Sequence, residues 1–181
     1  VTTAAQDAEL LVRVVAGDHD AYNQIMRTHE DRVFSVCLRI MGNRELALDA
    51  TQEVFLTAFR KAAQFKGDSA LGTWIYRIAV NTCYDQLRKQ KRRRSEPWPQ
   101  HLDPSDHSAQ DAVDAAAVRP EIQQALAAIP PDFRAAIVLS DIEGMALADV
   151  AVVLGVPVGT VKSRVFRGRR LLAAVLGNQN Q

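Results

Sequence analysis

Apolar positions recur at helical spacing along most of the chain. Leu10, Leu11, Val14 and Val15 make a first apolar face that Gly17 ends. Asp20 is placed to cap a second helix, in which Tyr22, Ile25, Met26, His29, Val33, Cys37 and Ile40 keep the period until Gly42. Asn43 opens a third, whose apolar side is Ala47, Thr51, Val54, Phe55, Ala58 and Phe59. The stretch Lys66–Gly72 carries two glycines and reads as a loop. A fourth helix starts near Thr73 and buries Trp74, Ile75, Ile78 and Ala79. No run of alternating residues is long enough to predict a strand.

The period stops at Ser95–Ala112, where Pro97, Pro99 and Pro104 stand among polar residues. This is the composition of an extended linker. Stretched out, it reaches roughly 55 Å at about 3.1 Å per residue. Helical spacing then resumes. Pro120 suits a first turn, and that helix ends at Ile129 before Pro130-Pro131. Another helix covers Pro131–Ile142 and stops at Glu143-Gly144. Leu147–Leu154 is a short helix, and after the Gly155-Val156-Pro157 turn a last one runs from Val158 to Leu176. Two helices joined by a tight turn with a glycine form a helix-turn-helix. The expected fold is all-α. Residues 1–94 and 113–181 form two small helical domains, with 95–112 as linker.

Composition excludes several classes. The chain has 181 residues, 48% hydrophobic and 24% charged, which is globular rather than disordered. No apolar run is long enough to span a membrane. Val1–Leu11 is polar and acidic where a leader needs basic and apolar residues, so a soluble, cytoplasmic protein is expected. Cys37 and Cys83 form no disulfide framework, and His19, His29, His101 and His107 are scattered. Neither a metal, a cofactor nor a catalytic constellation is expected, so an enzyme such as a nuclease is disfavoured.

The formal net charge of +1 hides an uneven distribution. Residues 1–94 hold 15 basic and 11 acidic side chains, residues 95–121 hold one against six, and residues 122–181 hold six against four. Two basic parts flank an acidic strap, and such local asymmetry steers a chain toward a polyanion. Seven basic residues, among them Arg77, Arg88 and Arg92, face only Asp85 across 77–94. Lys162, Arg164, Arg167, Arg169 and Arg170 have no acidic neighbour across 161–172.

Three places combine this charge with useful chemistry. On the last helix Gly159, Lys162, Ser163, Phe166, Arg167 and Arg170 share a stripe away from the apolar face, as a recognition helix requires. There Lys162 and Arg167 suit guanine edges or phosphates, and Phe166 suits a thymine methyl. On the third helix Asp49, Gln52, Glu53 and Leu56 make a polar face with one apolar anchor, either a solvated surface or a site for a helical partner. Phe65, the loop after it, Tyr76, Arg77, Asn81 and Asp85 mix aromatics, an amide and charge. Single-stranded nucleic acid is held by such a mix, although Trp74 and Tyr76 also suit a core.

The stretches Asp49-Ala-Thr-Gln-Glu-Val-Phe-Leu56, Phe65-Lys-Gly-Asp-Ser-Ala-Leu-Gly-Thr-Trp-Ile-Tyr-Arg-Ile-Ala-Val-Asn81 and Gly159-Thr-Val-Lys-Ser-Arg-Val-Phe-Arg167 resemble, in that order, the extracytoplasmic-function (ECF) sigma factors of bacteria. The resemblance covers about residues 8–176. It implies a promoter-specificity subunit of RNA polymerase acting in stress responses, with no catalysis of its own. Asp49, Gln52, Glu53 and Leu56 would dock on the clamp helices of the polymerase β′ subunit, with the β subunit as a further contact. Phe65, Lys66, Asp68, Ser69, Ala70, Tyr76, Arg77, Asn81 and Asp85 would serve the melted minus-ten element, a flipped base entering the loop. Arg88 and Arg92 would hold promoter phosphates. Thr160, Lys162, Ser163, Phe166, Arg167 and Arg170 would read the minus-thirty-five element, and the acidic linker would lie in the polymerase channel. An anti-sigma factor is an implied partner, and no appended C-terminal module is expected to inhibit the chain. Two positions depart from the family pattern: Met145-Ala146 offers no capping hydroxyl before Leu147, and Gly168 replaces the usual Ala. Each costs its helix roughly 1 kcal/mol. The alternative is a free-standing helix-turn-helix regulator, which leaves the loop and the polar helix face without a purpose.

Overall fold

A computed structural model describes residues 4–95 and 120–179. Among these residues every regular element is a helix. The first four are α1 (Ala4–Val15), α2 (His19–Met41), α3 (Arg44–Lys61) and α4 (Leu71–Ser95), with a single 3-10 turn, Ala62–Gln64, after α3. The second group is α5 (Pro120–Ala128), α6 (Pro131–Ile137), α7 (Leu147–Leu154) and α8 (Val158–Gln179). A π turn, Val138–Ile142, continues α6. The acidic linker expected between the groups lies, from residue 96 to 119, outside the described residues, as do His101 and His107.

Local chemistry sets most of these boundaries. Asp18 caps α2, two residues before the expected Asp20, its carboxylate accepting from the N–H groups of Asp20 (2.9 Å) and Ala21 (3.1 Å). The Ala21 N–H and the Arg13 guanidinium hold this carboxyl below the usual carboxylate range. Gly42 ends α2 with φ +70, which a side chain would strain. The next residue, Asn43, caps α3 through the N–H of Leu46 at 2.9 Å. Leu71 begins α4, two residues ahead of the expected Thr73, because the Trp74 N–H already bonds to the carbonyl of Ala70. Ala146 gives α7 no side-chain cap, as its sequence implies. Gly155, with φ +63, makes the sharp turn into α8.

The two groups of helices share one apolar core. α7 lies on α4, and α5 and α6 lie on α2. Ile40, Leu71, Ile75 and Val80 from the first group and Leu126, Leu139 and Val150 from the second are each under 2% exposed. Burying such a side chain contributes about 1.5–3 kcal/mol. Two expected core residues stay outside: Val15 is 55% exposed and Phe59 41%.

Polar contacts also cross between the groups. Gln123 donates to the carbonyl of Leu38 (3.2 Å) at the end of α2. The buried Arg134 donates to Ile40 of α2 and, at 2.8 and 2.9 Å, to Ala127 and Ile129 after α5. One guanidinium therefore serves carbonyls that two helix ends leave without donors. Glu143, just past the π turn, pairs with Arg39 (3.3 Å) and reaches Arg32 (4.0 Å), and the hydroxyl of Tyr76 faces the same carboxylate.

Candidate nucleic-acid and polymerase interface

The polar face of α3 is presented as the sequence predicts. Ala47, Ala50 and Val54 are buried, and the Tyr22 hydroxyl donates to the Phe55 carbonyl at 2.8 Å, fixing the helix rotation. Asp49, Gln52, Glu53 and Leu56 then point outward, with Leu56 49% exposed. Leu48 (44% exposed) and Phe59 join this surface and widen its apolar content. Their spacing, 48, 52, 56, 59, was readable as a helical stripe, but counting Phe59 with the core hid it. Its ring meets Tyr22 edge-on at 5.0 Å.

On α4 the residues Arg77, Asn81, Asp85, Arg88 and Arg92 form one exposed stripe, with Arg88 bonded to Asp85 at 2.6 Å. Lys66, Asp68 and Ala70 of the preceding loop are exposed, and Ser69 is half-buried. Phe65 is half-buried, its ring edge-on to Trp74 at 5.4 Å. Tyr76 stands apart from this set. It is buried on the opposite face of α4, where burial and the Glu143 carboxylate push its hydroxyl above the usual phenol range. Tyr84, on the same covered face, is pushed up by burial and by Asp132.

The stripes of α3 and α4 face each other. Asp49, Glu53 and Leu56 on one side and Arg77, Asn81 and Lys89 on the other line a single open groove of about 970 Å³, with Trp74 and Ile78 also in its lining. The sequence treats these stripes as separate surfaces. Only the packing angle of two helices shows them to be one.

The helix-turn-helix presents its own stripe. Val161 and Val165 are buried, whereas Lys162, Ser163, Arg167 and Arg170 are exposed and Thr160 is half-buried. Phe166 is 63% exposed, with the Arg170 guanidinium over its ring at 5.9 Å. The basic cluster is smaller than the sequence count. Arg164 pairs with Asp132 at 3.2 Å, and Arg169 binds Asp141 through two nitrogens at 2.8 Å, holding that carboxyl below the usual range. Lys162, Arg167 and Arg170 have no ion pair among the described residues. Gly168 has a packing role beyond its cost to the helix: a Cβ there would stand 2.7 Å from Ile137 Cδ1 and 3.3 Å from Phe133 Cβ.

Among the described residues no three His, Cys, Asp or Glu side chains are grouped to hold a metal, and no helix is long and apolar enough to cross a membrane. Cys37 and Cys83 are free and buried; the neighbouring Cys37 and burial push the Cys83 thiol far above its usual range.

An exposed basic stripe on a helix-turn-helix, beside a second helical group with a charged groove, is the arrangement of a helix-turn-helix DNA-binding protein with a further helical module. The family model for Sigma-70 region 2 matches residues 25–93 and that for Sigma-70 region 4 matches residues 119–172. The ECF RNA polymerase sigma factor SigM of Mycobacterium tuberculosis is 40% identical over 174 residues, 96% of this chain and 86% of that protein. The RNA polymerase sigma-H factor of Pseudomonas aeruginosa is 34% identical, over 96% of this chain and 95% of its own. Among solved structures, the sigma factor RpoE in complex with the anti-sigma factor NepR from Bartonella quintana aligns with a TM-score of 0.68 and 25% identity. It covers 86% of this chain and 96% of that one. The chain belongs to the ECF sigma factors, the subunits that direct RNA polymerase to promoters and start transcription.

Proposed function

We propose that the two groups of helices divide promoter recognition between them, residues 1–94 serving polymerase and the minus-ten element and residues 113–181 the minus-thirty-five element. α3 docks through Asp49, Gln52, Glu53 and Leu56 on the β′ clamp helices. The loop 65–70 and Asn81 receive a flipped base of the melted strand. Unstacking that base costs a few kcal/mol, which its pocket and the phosphate contacts of Arg77, Arg88 and Arg92 offset. Tyr76 joins them only when the second group of helices moves off α4. Thr160, Lys162, Ser163, Phe166, Arg167 and Arg170 enter the upstream major groove. The residues 95–112 span the distance between the two sites. The protein acts in the cytoplasm and is restrained by an anti-sigma factor, as the co-crystallised Bartonella relative is bound to one.

The observation that carries this reading is the placement of the three stripes. Two wall one groove beside the loop, and the third stands exposed on a separate helix. Replacing Asp49→Lys together with Glu53→Lys should abolish assembly with core polymerase in a pull-down while leaving the helical circular dichroism unchanged. Unaltered assembly would remove α3 as the docking helix. Promoter opening should need core polymerase. Tight, sequence-specific duplex binding by the chain alone would favour the free-standing regulator.

A further inference from the structure

The glycines inside the helices differ in what a side chain would meet. At Gly168 a Cβ would press on Ile137, and at Gly72 it would touch the ring of His29 at 3.5 Å. At Gly159 it would meet no atom within 4 Å. Nor does the backbone require glycine there. Gly159 has no positive φ, unlike Gly42 and Gly155, and it lies in a regular first turn. In that turn the N–H groups of Thr160 and Val161 bond to the carbonyl of Pro157 at 2.9 and 3.2 Å. Glycine weakens a helix relative to alanine, and neither packing nor conformation within the chain offsets that cost.

The surroundings of Gly159 face outward. It stands on the exposed stripe of α8, one turn before Lys162 and Ser163 and two before Phe166. From Gly155 to Val161 no side chain is ionisable. Val158, the first residue of the helix, is 39% exposed. The leading turn is therefore bare and apolar at the place where a recognition helix meets base edges.

We infer that Gly159 is the point of closest approach between α8 and the base edges of the upstream element, its bare Cα setting how deeply the stripe enters the major groove. This rests on the reading of α8 as the upstream recognition helix and adds a residue that acts by lacking a side chain. Hydrogen bonds from Lys162, Ser163 and Arg167 to bases weaken steeply with distance and angle. A methyl group at position 159 holds the helix off and costs contacts that it never touches. Random duplex, held through its phosphates, makes no such demand.

The test is fluorescence anisotropy of holoenzyme on labelled duplexes that the parent holoenzyme selects from a random library, with the upstream element scrambled for comparison. Gly159→Ala should bind the selected duplex roughly tenfold more weakly, and Gly159→Val more weakly again. The scrambled duplex should be bound as by the parent. The unfolding midpoint of the free Gly159→Ala chain should equal or exceed that of the parent. Gly177→Ala, near the other end of α8 and likewise with no atom within 4 Å of its Cβ, should leave both affinities unchanged. Parental affinity in Gly159→Ala, an equal loss on both duplexes, or a lowered midpoint would each overturn the inference. The turn would then be clear of DNA, set against phosphates alone, or dependent on glycine for folding. Failure of the parent to select any upstream sequence would remove the reading of α8 itself, and the inference with it.

Discussion

His29 sits half-buried where three elements meet. A Cβ on Gly72, at the start of α4, would lie 3.5 Å from its Cε1, and its Nε2 is buried without a hydrogen-bond partner. Burial pushes the imidazole below its ordinary value, Asp7 of α1 opposes that shift and Arg32 of α2 adds to it. The folded chain therefore holds the neutral ring. Stability from this residue is complete above the unfolded value of about 6.5 and is lost as pH falls from there through the folded value. Thermal unfolding followed from about pH 7.5 to 5.5 should show a falling midpoint, and His29→Gln should flatten that slope. At this scale the sequence showed which residues carry useful chemistry but not always which way they face. Asp49, Arg77 and Arg167 are where their helical spacing puts them. Tyr76 is not with its proposed partners, because the surface covering it comes from residues nearly seventy positions later. No local pattern records that.

Elements were legible wherever a short-range interaction ends them. Gly42, Asn43, Pro131 and Gly155 act within a turn of their own position, so the sequence places the corresponding boundaries closely. The π turn after α6 was not legible. It depends on the N–H of Glu143 bonding to Val138 at 2.9 Å, a choice that packing decides. Gly168 shows the same limit in energetic form. Helix propensity alone says that Gly168→Ala stabilises α8 by about 1 kcal/mol. The contact with Ile137 opposes this, since overpacking a closed core costs roughly 1–3 kcal/mol. Chemical denaturation should find Gly168→Ala neutral to destabilising by up to about 2 kcal/mol. Adding Ile137→Val, which removes the obstructing Cδ1, should recover at least about 0.5 kcal/mol beyond additivity. A plain gain from Gly168→Ala would mean that α6 yields freely.

The whole molecule combines a legible division with an arrangement that was not legible. The break in periodicity and the charge order separate two helical groups along the chain, and the described helices follow that division. That the groups pack into one core required contacts across more than a hundred positions, such as Arg39 with Glu143. Both side chains are about nine-tenths buried. Removing one partner of such a pair leaves the other uncompensated, at about 3 kcal/mol. Glu143→Ala should therefore loosen the two groups. Small-angle scattering should show a larger radius of gyration than for the parent, with circular dichroism largely preserved. An unchanged radius would show that the apolar core holds the groups without the pair.

The two occupied arginines of α8 have a thermodynamic consequence. A basic side chain assists DNA binding largely because neutralising a phosphate sets condensed counterions free. Arg164 and Arg169 already have carboxylates of their own helical group, so moving either to a phosphate exchanges one anion for another. On the proposed reading of α8, the entropy of ion release at the upstream element would come from Lys162, Arg167 and Arg170. A helix with few free cations holds random duplex loosely, and its residence on DNA depends more on which base edges it meets.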